Sequence, residues 1–183
     1  INECKENNAA LLEGFAYQYH VQHENVRELV HSGEIGNPIL FQAWFGFPPI
    51  DSDHRYDPVL GGGALLDVGT YTIHSARKFF NKEPINAKGI LDYGNDEVDI
   101  HGSLLLDFGE GKSAQLSFGF NNSYRNSYSI WGTKGVITLQ RAFSTPPGYS
   151  PCIVIEKQDY YHEEEISPCD PFLLEIDSFC SNL

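Results

Sequence analysis

The stretch Gly61-Gly-Gly-Ala-Leu-Leu-Asp-Val-Gly-Thr-Tyr-Thr-Ile-His74 carries the strongest structural and chemical signal in the sequence. Three consecutive glycines allow close backbone approach or positive φ angles, and they lead into a segment with helical periodicity, from Ala64 to Phe80. Asp67 and Tyr71 are four residues apart, so on a helix their side chains share one face. The free N–H groups at such a helix start favour negative charge, which predicts a ligand-binding turn.

The residue types of this stretch suit proton transfer. A carbonyl group that is reduced by hydride needs a proton donor, and a tyrosine can serve when a cation lowers its pKa from about 10. Tyr71 is therefore a candidate acid, Asp67 a candidate for orienting donor and substrate, and His74 a neighbour near the same helix face. The alternative is that Asp67 caps the helix and Tyr71 is a half-buried aromatic residue.

Before the glycines, the pattern predicts a helix, a strand and a polar loop. Residues 2–8 are predicted to end a helix, and residues 9–19 to form a buried strand. An apolar face formed by Val26, Leu29 and Val30 predicts a helix over 25–31, closed by Gly33. Residues 38–47 are rich in β-formers, and the charged loop 50–60 that follows is of the kind that carries function.

After Pro84 the hydrophobic period changes toward two, which predicts a succession of strands. The predicted strands cover residues 86–93, 98–108, 113–120, 126–132, 135–141, 152–158 and 162–166. Short glycine-containing turns join several of them, which indicates hairpins. A final helix is predicted from Asp170 as N-cap and Pro171 as first helical residue. The predicted fold is α+β, with one large, mostly antiparallel (mixed), open-faced sheet and helices on one face.

The uncovered face of that sheet suggests an assembly. Apolar side chains point both ways in places along residues 103–108 and 114–120. A sheet face without helices is normally polar unless it is buried in an assembly. We therefore expect a homodimer through the open face, the alternative being ordinary scatter of surface apolar residues.

Composition excludes several classes of function. The formal net charge is -13, which argues against a nucleic-acid partner or an anionic membrane surface. No apolar stretch reaches the roughly 18 residues of a membrane span, and no signal peptide opens the chain, so we expect a soluble, cytoplasmic protein. The four cysteines include no C-x-x-C pair, and the histidines show no metal-ligand spacing, so we expect neither a disulfide scaffold nor a metal.

Length limits the domain content. The chain has 183 residues, enough for one domain with a sizeable core but too few for a nucleotide-binding domain plus a full substrate domain. It contains no G-x-G-x-x-G/A fingerprint after an N-terminal strand. The sequence ends directly after the apolar run from Phe172 to Phe179. We expect a piece of a longer polypeptide.

Several motifs together resemble the Gfo/Idh/MocA family of NAD(P)-dependent oxidoreductases, over nearly the whole chain. The glycine run with Asp67 and Tyr71 is the most specific of them, and it is accompanied by these segments: Leu12-Glu-Gly-Phe15, Val26-Arg-Glu-Leu-Val-His-Ser-Gly-Glu-Ile-Gly36, Trp131-Gly-Thr-Lys-Gly-Val136 and the Pro171 helix. The resemblance implies the C-terminal domain of such an enzyme. It implies that residues 1–19 end a dinucleotide-binding (Rossmann) domain and that 20–183 form the substrate-binding and dimerisation domain.

The resemblance also implies residue roles. Tyr71 would be the proton donor and Asp67 a supporting residue. NADP or NAD would be bound mainly by an N-terminal domain, which would also supply a catalytic lysine. Without that domain, the chain is expected to be inactive. Cofactor-binding residues within this chain are therefore unknown from the sequence.

Three further segments resemble the sugar-nucleotide 3-ketoreductases within the family. They are His54-Arg55-Tyr-Asp-Pro-Val-Leu-Gly-Gly-Gly-Ala-Leu-Leu-Asp-Val-Gly69, Phe118-Gly-Phe-Asn-Asn-Ser-Tyr-Arg-Asn-Ser-Tyr128, and Arg141-Ala-Phe143 with Pro146-Pro147. Arg55 and Arg125 are candidates to bind a diphosphate or hydroxyl groups of the substrate. The alternative is that each is a surface charge paired with a carboxylate. The other candidate substrate-binding residues are His74, His20, Gly62 and Gly63.

The resulting functional prediction is a reductase of a keto group on a sugar or sugar nucleotide. Two alternatives remain open at this point. One is a dehydrogenase of a free sugar, polyol or dihydrodiol, which uses the same Asp and Tyr spacing. The other is a non-catalytic, sugar-sensing regulator of the same fold. Retention of both Asp67 and Tyr71 favours an enzyme.

Overall fold

The computed structural model describes residues 1–51, 53–94 and 97–182. Ser52, within the predicted polar loop, and Leu183, the last residue of the predicted substrate domain, lie outside the described residues.

The described part of the chain contains four α-helices, and their ends follow local chemistry. They are α1 (Asn2–Glu6), α2 (Gln22–His31), α3 (Thr70–Phe80) and α4 (Pro171–Ser181). The N-terminus of α4 is capped as the sequence predicts, because the Asp170 carboxylate accepts hydrogen bonds from the backbone N–H groups of Phe172 and Leu173. Helix α2 ends where Gly33 adopts a φ of 79°, a conformation that suits glycine.

Eight strands form one mixed sheet. They are β1 (Pro38–Gly46), β2 (Asn86–Asp92), β3 (His101–Gly109), β4 (Lys112–Gly119), β5 (Arg125–Gly132), β6 (Val136–Gln140), β7 (Cys152–Lys157) and β8 (Tyr160–Glu165). Their order is β2-β3-β4-β1-β5-β6-β7-β8. The β1–β4 pair is parallel and every other neighbouring pair is antiparallel, so the predicted mostly antiparallel, mixed sheet is confirmed.

The hydrophobic core lies between the sheet and its helices. Alternate residues of the central strands point into it, including Phe41, Leu116 and Phe118, each at most 1% exposed. Because side chains alternate along a strand, this period of two is the pattern visible in the sequence. Helix α3 packs on β1 and β4, which places its N-terminal end above the middle of the sheet.

Among the residues that the structure describes, no helix covers the opposite sheet face, which has a mixed surface. Gln42 and Gln115 on β1 and β4 are hydrogen-bonded there at 2.9 Å. Three large apolar side chains also lie on this face and are exposed: Ile90 (77%), Leu105 (49%) and Trp131 (57%). We refer to this surface as the open face.

The prediction of a buried strand over residues 9–19 is wrong. Residues 9–15 have no regular structure, and Ala16–Tyr19 form a 3₁₀ helix. Tyr17 is buried, but it gains its burial by packing against other aromatic rings, such as Phe143 at 5.4 Å, rather than by pairing with a strand. Apolar composition alone does not distinguish these two ways of burying a residue.

Residues 1–51, 53–94 and 97–182 include no helix with both the length and the apolar character of a membrane span. Within the same ranges, no group of three or more His, Cys, Asp or Glu side chains is placed to hold a metal ion. The four cysteines are free thiols.

Candidate active site

The glycine run fixes the charged loop that precedes it. Gly62 N–H donates to the Asp57 carbonyl, and Gly63 N–H donates to the Arg55 carbonyl, each at 2.9 Å. A Cβ atom on Gly62 would lie only 2.4 Å from the Arg55 oxygen. The second glycine therefore permits a backbone approach that no other residue allows, and this approach places Arg55 beside the following helix.

Asp99 occupies the start of that helix. Its backbone carbonyl accepts from Ala64 N–H at 2.7 Å, and its carboxylate accepts from Leu65 N–H at 2.6 Å. Gly63, with a φ of 123°, would place a Cβ 2.6 Å from the Asp99 carboxylate. The sequence predicts an anionic ligand at this helix start, but the N–H groups of residues 63–65 are already bonded within the chain. Gly62 and Gly63 act here by shaping the loop.

The helix that carries the candidate acid begins with a π-helical turn over Leu65–Gly69, which continues into α3. The wider turn is closed by a hydrogen bond from Gly69 N–H to the Ala64 carbonyl at 2.8 Å. Such π turns are frequent at functional sites. The sequence indicates only a regular helix here, because a single π turn leaves the apolar periodicity almost unchanged.

Asp67, Tyr71 and Arg55 line one open cleft on the helical side of the sheet. Its volume is about 410 Å³, within the range of small-molecule sites. The remaining lining residues are Gly14, Ala16, Tyr17, Phe45, Phe47, Val68, Tyr124, Phe143, Ser144, Thr145, Pro171 and Phe172. The cleft is thus aromatic on its walls, with a small charged group at one end.

That charged group is an arginine held between two carboxylates. Arg55 Nε donates to Asp67 Oδ2 at 2.6 Å, and Arg55 Nη1 donates to both oxygens of Asp53 at 3.0 and 2.9 Å. The backbone N–H of Arg55, together with its guanidinium, lowers the pKa of Asp53. The three side chains carry a combined charge of -1, so they do not form a site that attracts a diphosphate.

Tyr71 packs against an aromatic wall and lines the same cleft as Arg55 and Asp67. Its ring centre lies 5.1 Å from that of Phe15, 5.6 Å from Tyr17 and 5.4 Å from Phe45. Burial and the negative charge of Asp67 raise the pKa of Tyr71, while Arg55 lowers it. Tyr71 is therefore a neutral hydroxyl at pH 7 and can donate a proton.

His74 lies one turn beyond Tyr71 and is held by Tyr17. The Tyr17 hydroxyl and His74 Nδ1 are 2.7 Å apart, and the imidazole stacks on Phe15 with ring centres 4.8 Å apart. Burial lowers the pKa of His74 and raises that of Tyr17. The Tyr17 hydroxyl therefore donates a hydrogen bond to the neutral imidazole, and the Tyr17 ring packs against Tyr71 with ring centres 5.6 Å apart.

Of the six predicted substrate-binding residues, Arg55 lines the cleft, whereas Gly62, Gly63 and His74 are not among its lining residues. The remaining two, His20 and Arg125, are also outside the lining and are held by other parts of the fold. His20 is 1% exposed, and its Nδ1 accepts from the backbone N–H of Gln22 at 3.2 Å. Arg125 lies on the open face, with its guanidinium 3.9 Å from the centre of the Trp44 ring. Because side chains alternate along β5, Arg125 points away from Tyr71 while Asn126 points toward it.

The structure brings a different cation to the rim of the cleft. Arg141 Nη1 donates to the hydroxyl of Tyr124 at 2.7 Å, and Tyr124 lines the cleft. Arg141 follows β6 with a φ of 54°. The sequence pattern did not single out Arg141 as a site residue. The available signal was its place at a strand end next to Ala142 and Phe143.

The fold is an α+β domain with an open cleft on the helical side of its sheet, and sequence comparison assigns the family. Residues 23–138 match the model of the GFO/IDH/MocA C-terminal domain. The chain belongs to the Gfo/Idh/MocA family.

Two curated relatives carry the same name, dTDP-3,4-didehydro-2,6-dideoxy-alpha-D-glucose 3-reductase. The protein from Saccharopolyspora spinosa is 37% identical over 98% of this chain and 55% of its own length. The protein from Actinomadura kijaniata is 34% identical over 96% of this chain and 54% of its own length. The chain thus spans about half the length of these relatives.

A solved structure shows the same fold. KijD10, a 3-ketoreductase from Actinomadura kijaniata in complex with NADP and TDP-benzene, matches with a TM-score of 0.89 and 33% identity. The match covers 97% of this chain and 55% of the KijD10 chain.

Proposed function

We propose that the chain is the substrate-binding half of an NADP-dependent oxidoreductase that reduces a keto group of a sugar nucleotide, with Tyr71 as the proton donor. The observation that carries this proposal is the cleft in which a neutral Tyr71 lies beside the Arg55–Asp67 pair. The names of the relatives support the reaction and substrate class, since two are 3-reductases of a dTDP-linked keto sugar.

The described residues offer no cradle for the phosphates of a dinucleotide, because the N–H groups of residues 63–65 are bonded within the chain. The cofactor would therefore be held by a nucleotide-binding half outside this chain. When bound, it supplies the hydride that adds to the carbonyl carbon.

The residues of this chain handle the proton and the orientation. Tyr71 gives its hydroxyl proton to the carbonyl oxygen as that oxygen gains negative charge, which yields an alcohol. Asp67 accepts hydrogen bonds from neighbouring hydroxyls of the substrate through the carboxylate oxygen that Arg55 leaves free. Arg55 keeps that carboxylate in place.

We further propose a homodimer through the open face and a cytoplasmic location. Ile90, Leu105 and Trp131 give the open face exposed apolar area that a second copy can cover. Free thiols at all four cysteines fit a reducing compartment.

The test is a reductase assay of the protein that includes the nucleotide-binding half. We expect NADPH oxidation with a TDP-linked keto sugar and none with residues 1–183 alone. Free sugars, polyols and a trans-dihydrodiol, assayed in the oxidative direction, are the competing substrates. Turnover with one of these competing substrates and not with the TDP-linked keto sugar would support the dehydrogenase alternative. Binding of sugars without turnover, in a protein that lacks the catalytic lysine, would support the sensor alternative.

A further inference from the structure

We propose that Arg141, Tyr124 and Tyr149 form a subsite for a nucleoside diphosphate at the rim of the cleft. This inference rests on the proposed function, because it concerns the nucleoside diphosphate half of a sugar-nucleotide substrate, which stays attached to the sugar during the reduction. We call these three residues the rim subsite.

Few cations among the described residues lie at or near the cleft. A diphosphate requires a positive group, and the chain as a whole is strongly acidic. Arg55 is at the cleft but is bound by two carboxylates, whereas Arg125 lies on the open face. Neither is available to a phosphate in the cleft.

Arg141 meets the requirement. Among the residues that the structure describes, no carboxylate lies within 4.0 Å of its guanidinium. One Nη1 proton is used by the Tyr124 hydroxyl, at 2.7 Å. The other N–H donors remain available for the paired oxygens of a diphosphate, a geometry for which the planar guanidinium is suited.

The rim subsite is built into the fold and joined to the cleft. Asn126 is 2% exposed, and its amide donates to the Tyr124 hydroxyl at 3.1 Å while accepting from Phe143 N–H at 2.7 Å. Tyr124 and Phe143 both line the cleft. Asn126 therefore links Tyr124 of the rim subsite to Phe143 of the cleft wall by hydrogen bonds. Tyr124 in turn accepts a hydrogen bond from Arg141.

Aromatic surface for a base lies beside the cation. The Arg141 guanidinium is 4.6 Å from the Tyr124 ring centre and 5.8 Å from that of Tyr149. Tyr149 is 40% exposed, so part of the residue is accessible to a ligand. A base stacked on Tyr149 would have its diphosphate at Arg141 and its sugar directed toward Tyr71.

The experiment measures binding of thymidine, thymidine monophosphate and thymidine diphosphate to the protein that includes the nucleotide-binding half. We expect Arg141→Ala to weaken the diphosphate about 10- to 100-fold while changing thymidine less than about threefold. Arg141→Lys should recover part of the lost affinity for the diphosphate, because lysine restores the positive charge but not the paired N–H donors of the guanidinium. Lys134→Ala, which removes an exposed cation far from the cleft, is the matched control. Tyr149→Ala should weaken all three ligands about equally.

Two outcomes would overturn the proposal, and they differ in what else they affect. If the wild type prefers the diphosphate to thymidine and Arg141→Ala keeps that preference, the rim subsite is misplaced and the proposed function stands. If the wild type binds none of the three ligands and acts on free sugars, the substrate class fails together with the subsite. Thermal unfolding of each variant establishes that a loss of binding is not a loss of fold.

Discussion

Arg55 donates a hydrogen bond from Nε to Oδ2 of Asp67 at 2.6 Å, so two charged groups that act on the candidate acid are bonded to each other. Burial raises the pKa of Tyr71 most, and the pair acts on it in opposite senses, since Asp67 raises that pKa further and Arg55 lowers it. The pair therefore adjusts how readily the buried Tyr71 gives up its proton.

The opposite signs make a pH test possible. Reduction requires protonated Tyr71, so kcat falls as the pH rises through the pKa of Tyr71. Asp67→Asn removes the charge that raises the pKa and releases Arg55, which should move this limb of the profile to lower pH. Arg55→Ala should move it to higher pH. Shifts in the same direction for both variants would contradict the arrangement, and Arg77→Ala at the far end of α3 is the charge control.

Tyr71→Phe should abolish most of kcat and leave the fold and cofactor affinity nearly unchanged. The ring still packs against Phe15, Tyr17 and Phe45, and only the hydroxyl is lost. General acid catalysis contributes about 10²- to 10⁴-fold, or roughly 3 to 5 kcal/mol of barrier. Asp67→Asn should have a smaller or substrate-dependent effect. If Tyr71→Phe keeps kcat within about threefold while His74→Ala destroys it, the proton donor is His74.

His23 should make the domain lose stability in mild acid. Its Nε2 lies 3.0 Å from the Ala142 carbonyl and its Nδ1 lies 3.1 Å from the Tyr128 hydroxyl. These contacts suit a neutral imidazole, and burial lowers the pKa of His23 well below its usual value.

The sign follows from proton uptake. Below a pH of about 6.5 the unfolded chain binds a proton that the folded chain does not, so the free energy of unfolding falls with falling pH. His23→Gln should flatten this dependence in urea unfolding series between about pH 6.5 and the folded-state pKa of His23, which is about 3. His31→Gln, at an exposed position, should leave it unchanged. If the free energy of unfolding of His23→Gln depends on pH as steeply as that of the wild type, the prediction is contradicted. The imidazole of His23 would then already be charged in the folded protein.

Leu105→Glu should convert the proposed dimer to a monomer. The side chain is 49% exposed on the open face, and a charge there would remain unpaired in an interface. Light scattering measures the mass, and Val59→Glu, which alters an exposed apolar residue of the site loop, is the control. A wild type that remains strictly monomeric at high concentration would exclude the interface.

Local patterns in the sequence were sufficient for most helices and strands and for the core of the site. The period of 3.6 residues predicts α2 and α3, the period of two predicts the strands after Pro84, and a spacing of four predicts that Asp67 and Tyr71 share a face. Both residues do line one cleft. Such inferences succeed because they concern neighbours along the chain.

Contacts between residues that are far apart in the sequence could not be predicted from local patterns. The register of β5 decides that Arg125 faces away from the cleft, and the turn after β6 brings Arg141 to it. Asp99 caps the helix start from 34 residues away. These placements depend on which strands become neighbours, and no local periodicity encodes that choice.

The parallel pairing of β1 with β4 has a consequence for how the site forms during folding. Leu40 lies opposite Ser113, and the chain between them contains Arg55, Asp67, Tyr71 and two strands. Closing so long a loop costs conformational entropy before the contacts between the strands stabilise it. Strand pairs of this kind therefore form slowly during folding. We therefore expect the cleft residues to acquire their positions late, once the middle of the sheet has closed. A variant that slows this closure would give molecules that contain every site residue and yet bind nothing until refolding is complete.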